Sequence, residues 1–462
     1  MNVVLINPYE IGRQPFGLAQ PAAWLEREGC TVHCLDLSIQ ALDPALLASA
    51  DLVAVYVPMH TATRIAMEAI PKIRTCAPAA SLCIFGLYAT MNAELFESLG
   101  VTTILGGEVE PGLVALVQRL KSGAGDTQTV KTVCLDKIDF LPPDRDKLPP
   151  LARYAQLVLP DGGRQTVGFA ETTRGCKYLC RHCPVAPVYH GVFRVIPEQI
   201  VLDDIRGQVA RGAGHISFGD PDFFNGPGHA LRIVRALHRE FPHLSYDATI
   251  KIEHIVKYPD EIRELAATGC LFIVSAVESV DNAVLEYLDK GHTRKDFIAA
   301  LAFLRTTGIV LAPTFVAFNP WTTLEGYIDL LRHILELRLV DSVAPVQLSI
   351  RLLIPQGSLL LDLEELQERI DGFDHATLGY LWRNPDPRVD ALQREIQAWV
   401  MQAEKNSQSR QAIFRGAWER AHRHTGRPAP DLPQLQAGGP VPRLSENWYC
   451  CAEPTNEQLA SF

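Results

Sequence analysis

Cys176, Cys180 and Cys183 are the residues of this chain whose spacing most directly specifies chemistry. They lie in the run Glu171-Thr172-Thr173-Arg174-Gly175-Cys176-Lys177-Tyr178-Leu179-Cys180-Arg181-His182-Cys183-Pro184. Three thiolates at that spacing let one short loop wrap around an iron–sulfur cube. A four-iron four-sulfur cluster held by three cysteines leaves one iron without a protein ligand. An open metal position is where chemistry happens, as at catalytic zinc. A structural zinc loop is the competing use of such a run. It needs a fourth Cys or His at matched spacing, and His182, between two of the cysteines, is poorly placed to supply it.

The elements that must position this loop read as repeated strand–helix units over residues 166–360. Apolar stretches at 166–172, 215–219, 245–250, 272–276, 311–317 and 346–353 are candidate strands, with amphipathic segments such as 231–241 and 259–268 between them. In a parallel barrel the active site gathers at the carboxyl ends of the strands. The cysteine run falls there, just after the first strand.

With an aromatic residue ahead of its third cysteine and an apparent strand before it, the run resembles the radical S-adenosylmethionine (SAM) superfamily. The resemblance implies a partial (β/α)6 barrel and an open iron that binds the amino and carboxylate groups of SAM. It also implies site residues strand by strand. His182 holds the position whose aromatic side chain packs on the adenine. Gly219-Asp220 matches a Gly-Gly-Glu-like turn whose backbone and carboxylate meet the ammonium group, although Asp220-Pro221-Asp222 reads equally as a plain turn. Lys251 falls where relatives often carry a basic residue near the methionine carboxylate; a solvated lysine is the commoner use. Glu278, in Ala276-Val277-Glu278-Ser279, resembles a stretch that contacts the nucleoside, and Asp289-Lys290-Gly291-His292-Thr293 also matches the pattern. Phe318-Asn319-Pro320-Trp321-Thr322-Thr323 departs from the usual Gly-Leu-Pro-Gly-Glu-Thr, a change expected to reshape the pocket.

Residues 1–125 alternate short apolar runs (3–7, 31–37, 52–57, 82–85, 103–105) with helical stretches such as 18–28, the signature of a doubly wound parallel sheet. This Rossmann-like layout resembles the cobalamin-binding domain fused to many radical SAM enzymes. The Asp-x-His-x-x-Gly motif that supplies a lower cobalt ligand is absent. Many fused members lack it and still bind cobalamin; the expectation here is a chain without it, with a purely supporting domain as the other use of the fold. Residues 126–165, which include Leu141-Pro142-Pro143-Asp144-Arg145-Asp146-Lys147-Leu148-Pro149-Pro150, read as a proline-rich linker. Residues 361–462 read as a helical region, with helices near 361–370 and 389–401 and a Pro- and Gly-rich stretch after Gly426.

The tail carries a second distinctive feature, Trp448-Tyr449-Cys450-Cys451-Ala452-Glu453-Pro454. Vicinal thiols do not form an easy disulfide, but they suit a soft, thiophilic centre. The ending resembles the group of radical SAM proteins that close in Cys-Cys-Ala-Glu-Pro or its selenocysteine counterpart. Within that group the resemblance reaches an enzyme of arsinothricin biosynthesis, which moves the 3-amino-3-carboxypropyl group of SAM onto trivalent arsenic. It implies that Cys450 and Cys451 bind arsenite as the acceptor. Redox-active or simply exposed thiols are the plainer uses.

The bulk composition narrows the alternatives. The chain has 462 residues and 47% apolar content, enough for two or three domains with ample core. A net charge of −10 and no Lys/Arg-rich run argue against nucleic acid as the partner. No apolar stretch approaches the ~18–20 residues of a membrane span, and the N-terminus has no basic leader. Of eleven cysteines, Cys30, Cys34, Cys83, Cys134 and Cys270 sit in or beside apolar runs, as buried hydrophobes do. These features point to a reducing cytoplasm, with flavodoxin or ferredoxin as reductant. The expected activity is cleavage of the Cγ–S bond of SAM and transfer of the fragment to arsenic. A cobalamin-dependent methyltransferase, a 5′-deoxyadenosyl-radical enzyme and an iron–sulfur metalloid or redox sensor are the rivals.

Overall fold

The structure, a computed structural model, describes residues 1–123, 130–432 and 441–446. The N-terminal part is a six-stranded sheet of β1 (Asn2–Asn7), β2 (Thr31–Asp36), β3 (Leu52–Tyr56), β4 (Ser81–Phe85), β5 (Thr103–Gly107) and β6 (Val130–Cys134). Its order is β2-β1-β3-β4-β5-β6, every pair parallel. Both faces are covered, which is why the strands read as continuous apolar runs. Val3 and Leu5 pack with Leu18, Leu25, Leu113 and Leu116 of the helices Phe16–Arg27 and Glu110–Lys121. Val4 and Ile6 pack on the other face, with Ala66, Ile70 and Phe96.

β6 lies inside the segment read as a linker. Its side chains are half-buried or exposed, so no apolar run marks it, and only its pairing with β5 makes it a strand. Cys134, at its end, is correspondingly only partly buried, unlike Cys30, Cys34, Cys83 and Cys270.

The second body contains β7 (Gln156–Val158), β8 (Arg164–Ala170), β9 (Thr173–Gly175), β10 (Phe193–Val195), β11 (His215–Phe218), β12 (Ser245–Thr249), β13 (Cys270–Glu278) and β14 (Val310–Phe315). β8, β11, β12, β13 and β14 form consecutive parallel pairs of a curled half-barrel, with helices between them. The expected sixth strand at 346–353 does not form. Pro345–Leu348 is a 3-10 turn, and one parallel bridge joins Phe318 to Arg351. The Gln347 side chain, and not a strand backbone, accepts the edge hydrogen bond from Phe315 N at 2.9 Å.

The C-terminal region adds the hairpin β15 (Ile370–Asp374) and β16 (Gly379–Trp382) and the packed helices Pro387–Lys405 and Arg410–His424. The expected helix at 361–370 is broken into the 3-10 turn Leu359–Asp362 and the single turn Glu364–Gln367. Its fully buried leucines, 360 and 366, are six apart, off any one helix face. β17 (Arg443–Leu444) returns to pair antiparallel with β7. No helix among the described residues is long and apolar enough to cross a membrane.

Arg145 ties the Pro-rich stretch to both bodies. Its guanidinium donates to Asp204 Oδ1 and Oδ2 at 2.6 and 2.8 Å, to Phe169 O at 2.6 Å and to Gln14 Oε1 at 3.1 Å. Both partners of this ion pair are almost fully buried. Arg145→Met would strand the Asp204 carboxylate without its cation, a loss of about 3–5 kcal/mol for a broken buried pair. Chemical denaturation checks this; a cost below about 1 kcal/mol would contradict the tie.

Candidate active site

The cysteine loop leaves β8 at the carboxyl edge of the half-barrel and is pinned at each step. Asp220, at the end of β11, accepts from Thr172 N at 3.0 Å and from the Thr172 and Thr173 hydroxyls at 2.6 Å each. β9 then pairs with β10. Gly175 turns at φ +74°, where a Cβ would meet the Tyr189 ring at 2.4 Å. Asn225 bridges the turn, donating to Gly175 O at 3.1 Å and accepting from Lys177 N at 3.2 Å. Further on, Cys183 N donates to Cys180 O at 3.0 Å and Arg181 N to Leu288 O at 3.0 Å.

Cys176 and Cys180 are buried and Cys183 is partly covered. Burial pushes the Cys176 thiol up to about 11 and the Cys183 thiol up to about 12. Lys251 acts on Cys176 and Lys290 on Cys183 in the opposite sense, as cations that favour thiolates. Among the described residues no three Cys, His, Asp or Glu groups are arranged to hold a single metal ion. A cube asks for a different arrangement, because each thiolate binds its own iron. Three thiols on one pinned loop, sheltered and faced by two lysines, fit that group. His182 Nε2 lies 3.1 Å from Glu278 Oε1, so that ring nitrogen is taken up by the carboxylate.

The resemblance-derived residues divide into two sets. His182, Glu278 and Lys290 come together, with Lys290 Nζ donating to the same Glu278 oxygen at 3.4 Å. Burial alone would raise the Glu278 carboxyl; Lys290 and the His182 hydrogen bond outweigh it and hold the group at about 2. Glu278 sits at φ +66° where the β13–β14 register shifts, so the strand end is bent at this side chain. It also borders a cavity of about 350 Å³ lined by Ser279, Asn319, Trp321 and Thr322, the last three from the departing stretch. That volume is in the ~300–1,000 Å³ range of small-ligand pockets.

Lys251 is not solvated: Nζ stands 3.4 Å above the Tyr178 ring and 3.3 Å from Glu253. Gly219 and Pro221 line a second cleft, whereas Asp220 does not. With its carboxylate taken up by Thr172 and Thr173, Asp220 holds the loop, and burial raises it to about 6 against those bonds. Cys450 and Cys451 lie outside the described residues.

Sequence reasoning missed the set around Tyr178. Its hydroxyl and His254 Nε2 are 2.6 Å apart, and His254 Nδ1 is 2.9 Å from Asp222 Oδ2. Asp222 and His254 follow two different strands, 32 residues apart in order, and no local spacing links them.

The second cleft, of about 210 Å³, lies between the carboxyl edge of the N-terminal sheet and the cysteine loop. It is lined by Glu10, Tyr56, Val109 and Glu110 on one side and by Arg174, Gly175 and Gly219 on the other. Such a crevice marks the ligand edge of open α/β sheets. Here much of it is taken by the chain itself. A Cβ on Gly17 would meet the Tyr56 ring at 2.2 Å, so this glycine makes room for that tyrosine. Arg174 joins the two bodies through Glu108 at 3.0 Å and Glu110 at 2.8 Å.

Residues 170–322 match the radical SAM superfamily model, and the half-barrel with its cysteine loop is a radical SAM domain. Among curated proteins the chain is similar to the hopanoid C-3 methylase of Methylococcus capsulatus, 23% identical over 228 residues, 47% of this chain and 43% of that protein. The alignment therefore spans less than half of that relative's length. Among solved structures the cobalamin-dependent SAM radical enzyme OxsB with aqua-cobalamin bound superposes with a TM-score of 0.67 at 16% identity, covering 87% of this chain and 67% of that one. The radical SAM methyltransferase TsrM from Kitasatospora setae superposes with a TM-score of 0.66 at 18% identity, covering 87% and 88%. These likenesses extend the shared fold across both bodies of the chain.

A corrinoid does not fit the second cleft as it stands. Its volume is below the ~300 Å³ at which drug-sized pockets begin, and the Tyr56 ring and the ion-paired Arg174 both line it.

Replacing any of Cys176, Cys180 or Cys183 by Ala is expected to abolish cluster assembly, since two thiolates do not hold a cube against exchange. Iron content and visible charge-transfer absorption after anaerobic reconstitution report this. Full iron loading in all three variants would remove the assignment.

Proposed function

We propose that this chain binds SAM at the open iron of a four-iron cluster and transfers one of its carbon groups to an acceptor. The observation that carries this reading is the pinned three-cysteine loop beside the His182–Glu278–Lys290 set, at the carboxyl edge of a radical SAM domain. A reduced cluster of this kind supplies the electron that breaks a carbon–sulfur bond of SAM. The chain's own residues bind and orient. Glu278, kept ionised by Lys290 and His182, offers its remaining acceptor sites toward the 350 Å³ cavity for the nucleoside hydroxyls. The buried Lys251 ammonium, beside Cys176, supplies positive charge for the SAM carboxylate. A small electron carrier such as flavodoxin or ferredoxin is the proposed reductant, in a reducing cytoplasm.

Two acceptor chemistries follow. The relatives' names favour methyl transfer, and the neighbours with cobalamin bound point to a corrinoid for it. The tail favours transfer of the 3-amino-3-carboxypropyl group to trivalent arsenic held on Cys450 and Cys451, because soft thiolates bind that element strongly. The narrow cleft weighs against the corrinoid and so toward the second chemistry.

Anaerobic incubation of reconstituted protein with SAM, reductant and arsenite, with and without added cobalamin, separates them by mass spectrometry. 5′-Methylthioadenosine with an arsenic-bearing amino acid is the expected result. S-Adenosylhomocysteine formed only with cobalamin would transfer the conclusion to methylation. 5′-Deoxyadenosine alone would overturn group transfer, and arsenite binding without SAM turnover would make the chain a sensor.

A further inference from the structure

Tyr178 stands between the first two cysteines of the run, and the start of the helix Ile252–Lys257 grips it from two directions. His254 N donates to Lys251 O at 3.0 Å, which closes the first turn and brings both side chains to the tyrosine. His254 Nε2 meets the Tyr178 hydroxyl at 2.6 Å, and the Lys251 ammonium stands 3.4 Å from the centre of the Tyr178 ring. The grip has its own anchor. His254 Nδ1 lies 2.9 Å from Asp222 Oδ2, and the other Asp222 oxygen accepts from Phe224 N at 3.2 Å. Asp222 and His254 are both fully buried, where a carboxylate is costly unless donors reach it. With Nδ1–H turned to Asp222, Nε2 of the neutral imidazole is the acceptor and the Tyr178 hydroxyl the donor. Hydrogen bonds in such a chain polarise one another. Here they draw electron density toward the phenol, which makes its ring face a better seat for a cation.

The cation on that seat has donors to spare. The Lys251 side chain is 10% exposed, and among the described residues its only ion pair is with Glu253 at 3.3 Å. Both lie against Gly291, where a Cβ would meet Glu253 Oε2 at 2.8 Å and Lys251 Nζ at 3.7 Å. Gly291 adjoins Lys290, the partner of Glu278. The ammonium is therefore lodged between the cysteine loop and the Lys290 stretch, close enough to act on Cys176. A lysine side chain loses rotamer freedom when it is fixed. A cation fixed before its anion arrives spares the binding step that loss.

We propose that Tyr178 is a positioning residue: held at its hydroxyl by His254 and Asp222, its ring presents the Lys251 ammonium to the carboxylate of SAM. The inference rests on the reading of Lys251 as the partner of that carboxylate, and it adds the residues that aim the lysine. Tyr178 acts through Lys251 alone, so its removal is felt only by ligands that carry the carboxylate.

The test is anaerobic calorimetry of the full reconstituted chain with SAM and, separately, with decarboxylated SAM, no reductant being present. Tyr178→Phe keeps the ring but frees it from His254. It is expected to weaken SAM binding ~3-fold, part of the worth of a cation–π contact, with iron content and the affinity for decarboxylated SAM unchanged. Lys251→Met is expected to weaken SAM binding ~10-fold, and adding Tyr178→Phe to it should cost nothing more, since the two act as one unit. Unchanged SAM affinity in Tyr178→Phe overturns the proposal, as does a further loss in the double variant. Equal weakening of both ligands, or loss of iron from Tyr178→Phe, would make the tyrosine a fastener of the loop and also overturn it. A wild-type chain that takes up no SAM would overturn the functional reading itself, and this inference with it.

Discussion

Everything at the barrel's edge depends on one buried carboxylate. Asp220 collects a backbone amide and two hydroxyls from Thr172 and Thr173, and so fastens the exit of β8 to the exit of β11. A carboxylate that is 1% exposed is costly unless its lone pairs are used. Here three donors from one dipeptide use them, which restricts the chain direction just where it enters the cysteine run. Gly175, Asn225 and Arg181 then fix the loop in turn. A cluster held on Cys176, Cys180 and Cys183 would need such a frame, because all three thiols come from this one loop.

Two charge systems flank this loop and do different work. On the barrel side Lys251 and Lys290 stand near the thiols, and Glu278 balances Lys290. These cations lower the cost of gathering three thiolates in a sheltered place. On the other side Arg174, in the strand just ahead of Cys176, reaches Glu108, Glu110 and Glu171. Burial still raises Glu171 to about 7 despite that arginine. The Arg174 ion pairs join the two bodies and narrow the crevice at the sheet's carboxyl edge. Side chains of this chain, Tyr56 and Arg174 among them, thus occupy much of the crevice between the two bodies.

The legible parts of the sequence were those where function or burial is local in the chain. The three-cysteine spacing, the apolar runs buried on both sheet faces and the glycine ahead of Cys176 each stand within a few residues. So do the His182 position and the Glu278 strand end, which the structure brings within 3.1 Å. The illegible parts arise where a residue's role comes from a distant partner. β6 is a strand only because β5 lies beside it, and residues 346–353 fail to be one because Gln347 caps the edge with its side chain. Asp220 reads from sequence as a turn or a ligand; its two threonine partners, 47 and 48 residues away, make it a clamp.

Sequence alone determined the fold class and singled out the three cysteines proposed to hold a cluster, because thiol spacing and the period of apolar runs are properties of adjacent residues. The paired tail thiols were equally plain, and so was the softness of any centre they would bind. Tertiary structure alone decided the rest. It made a Tyr178–His254–Asp222 set from two loops and the helix Ile252–Lys257, turned Lys251 from solvent onto an aromatic ring, and narrowed the crevice with Tyr56 and Arg174. It also brought Glu446 to Tyr9 from 437 residues away. Hydrogen bonds and ring contacts act over a few ångströms of space, and the order of residues along a chain does not record which distant pairs will share that space.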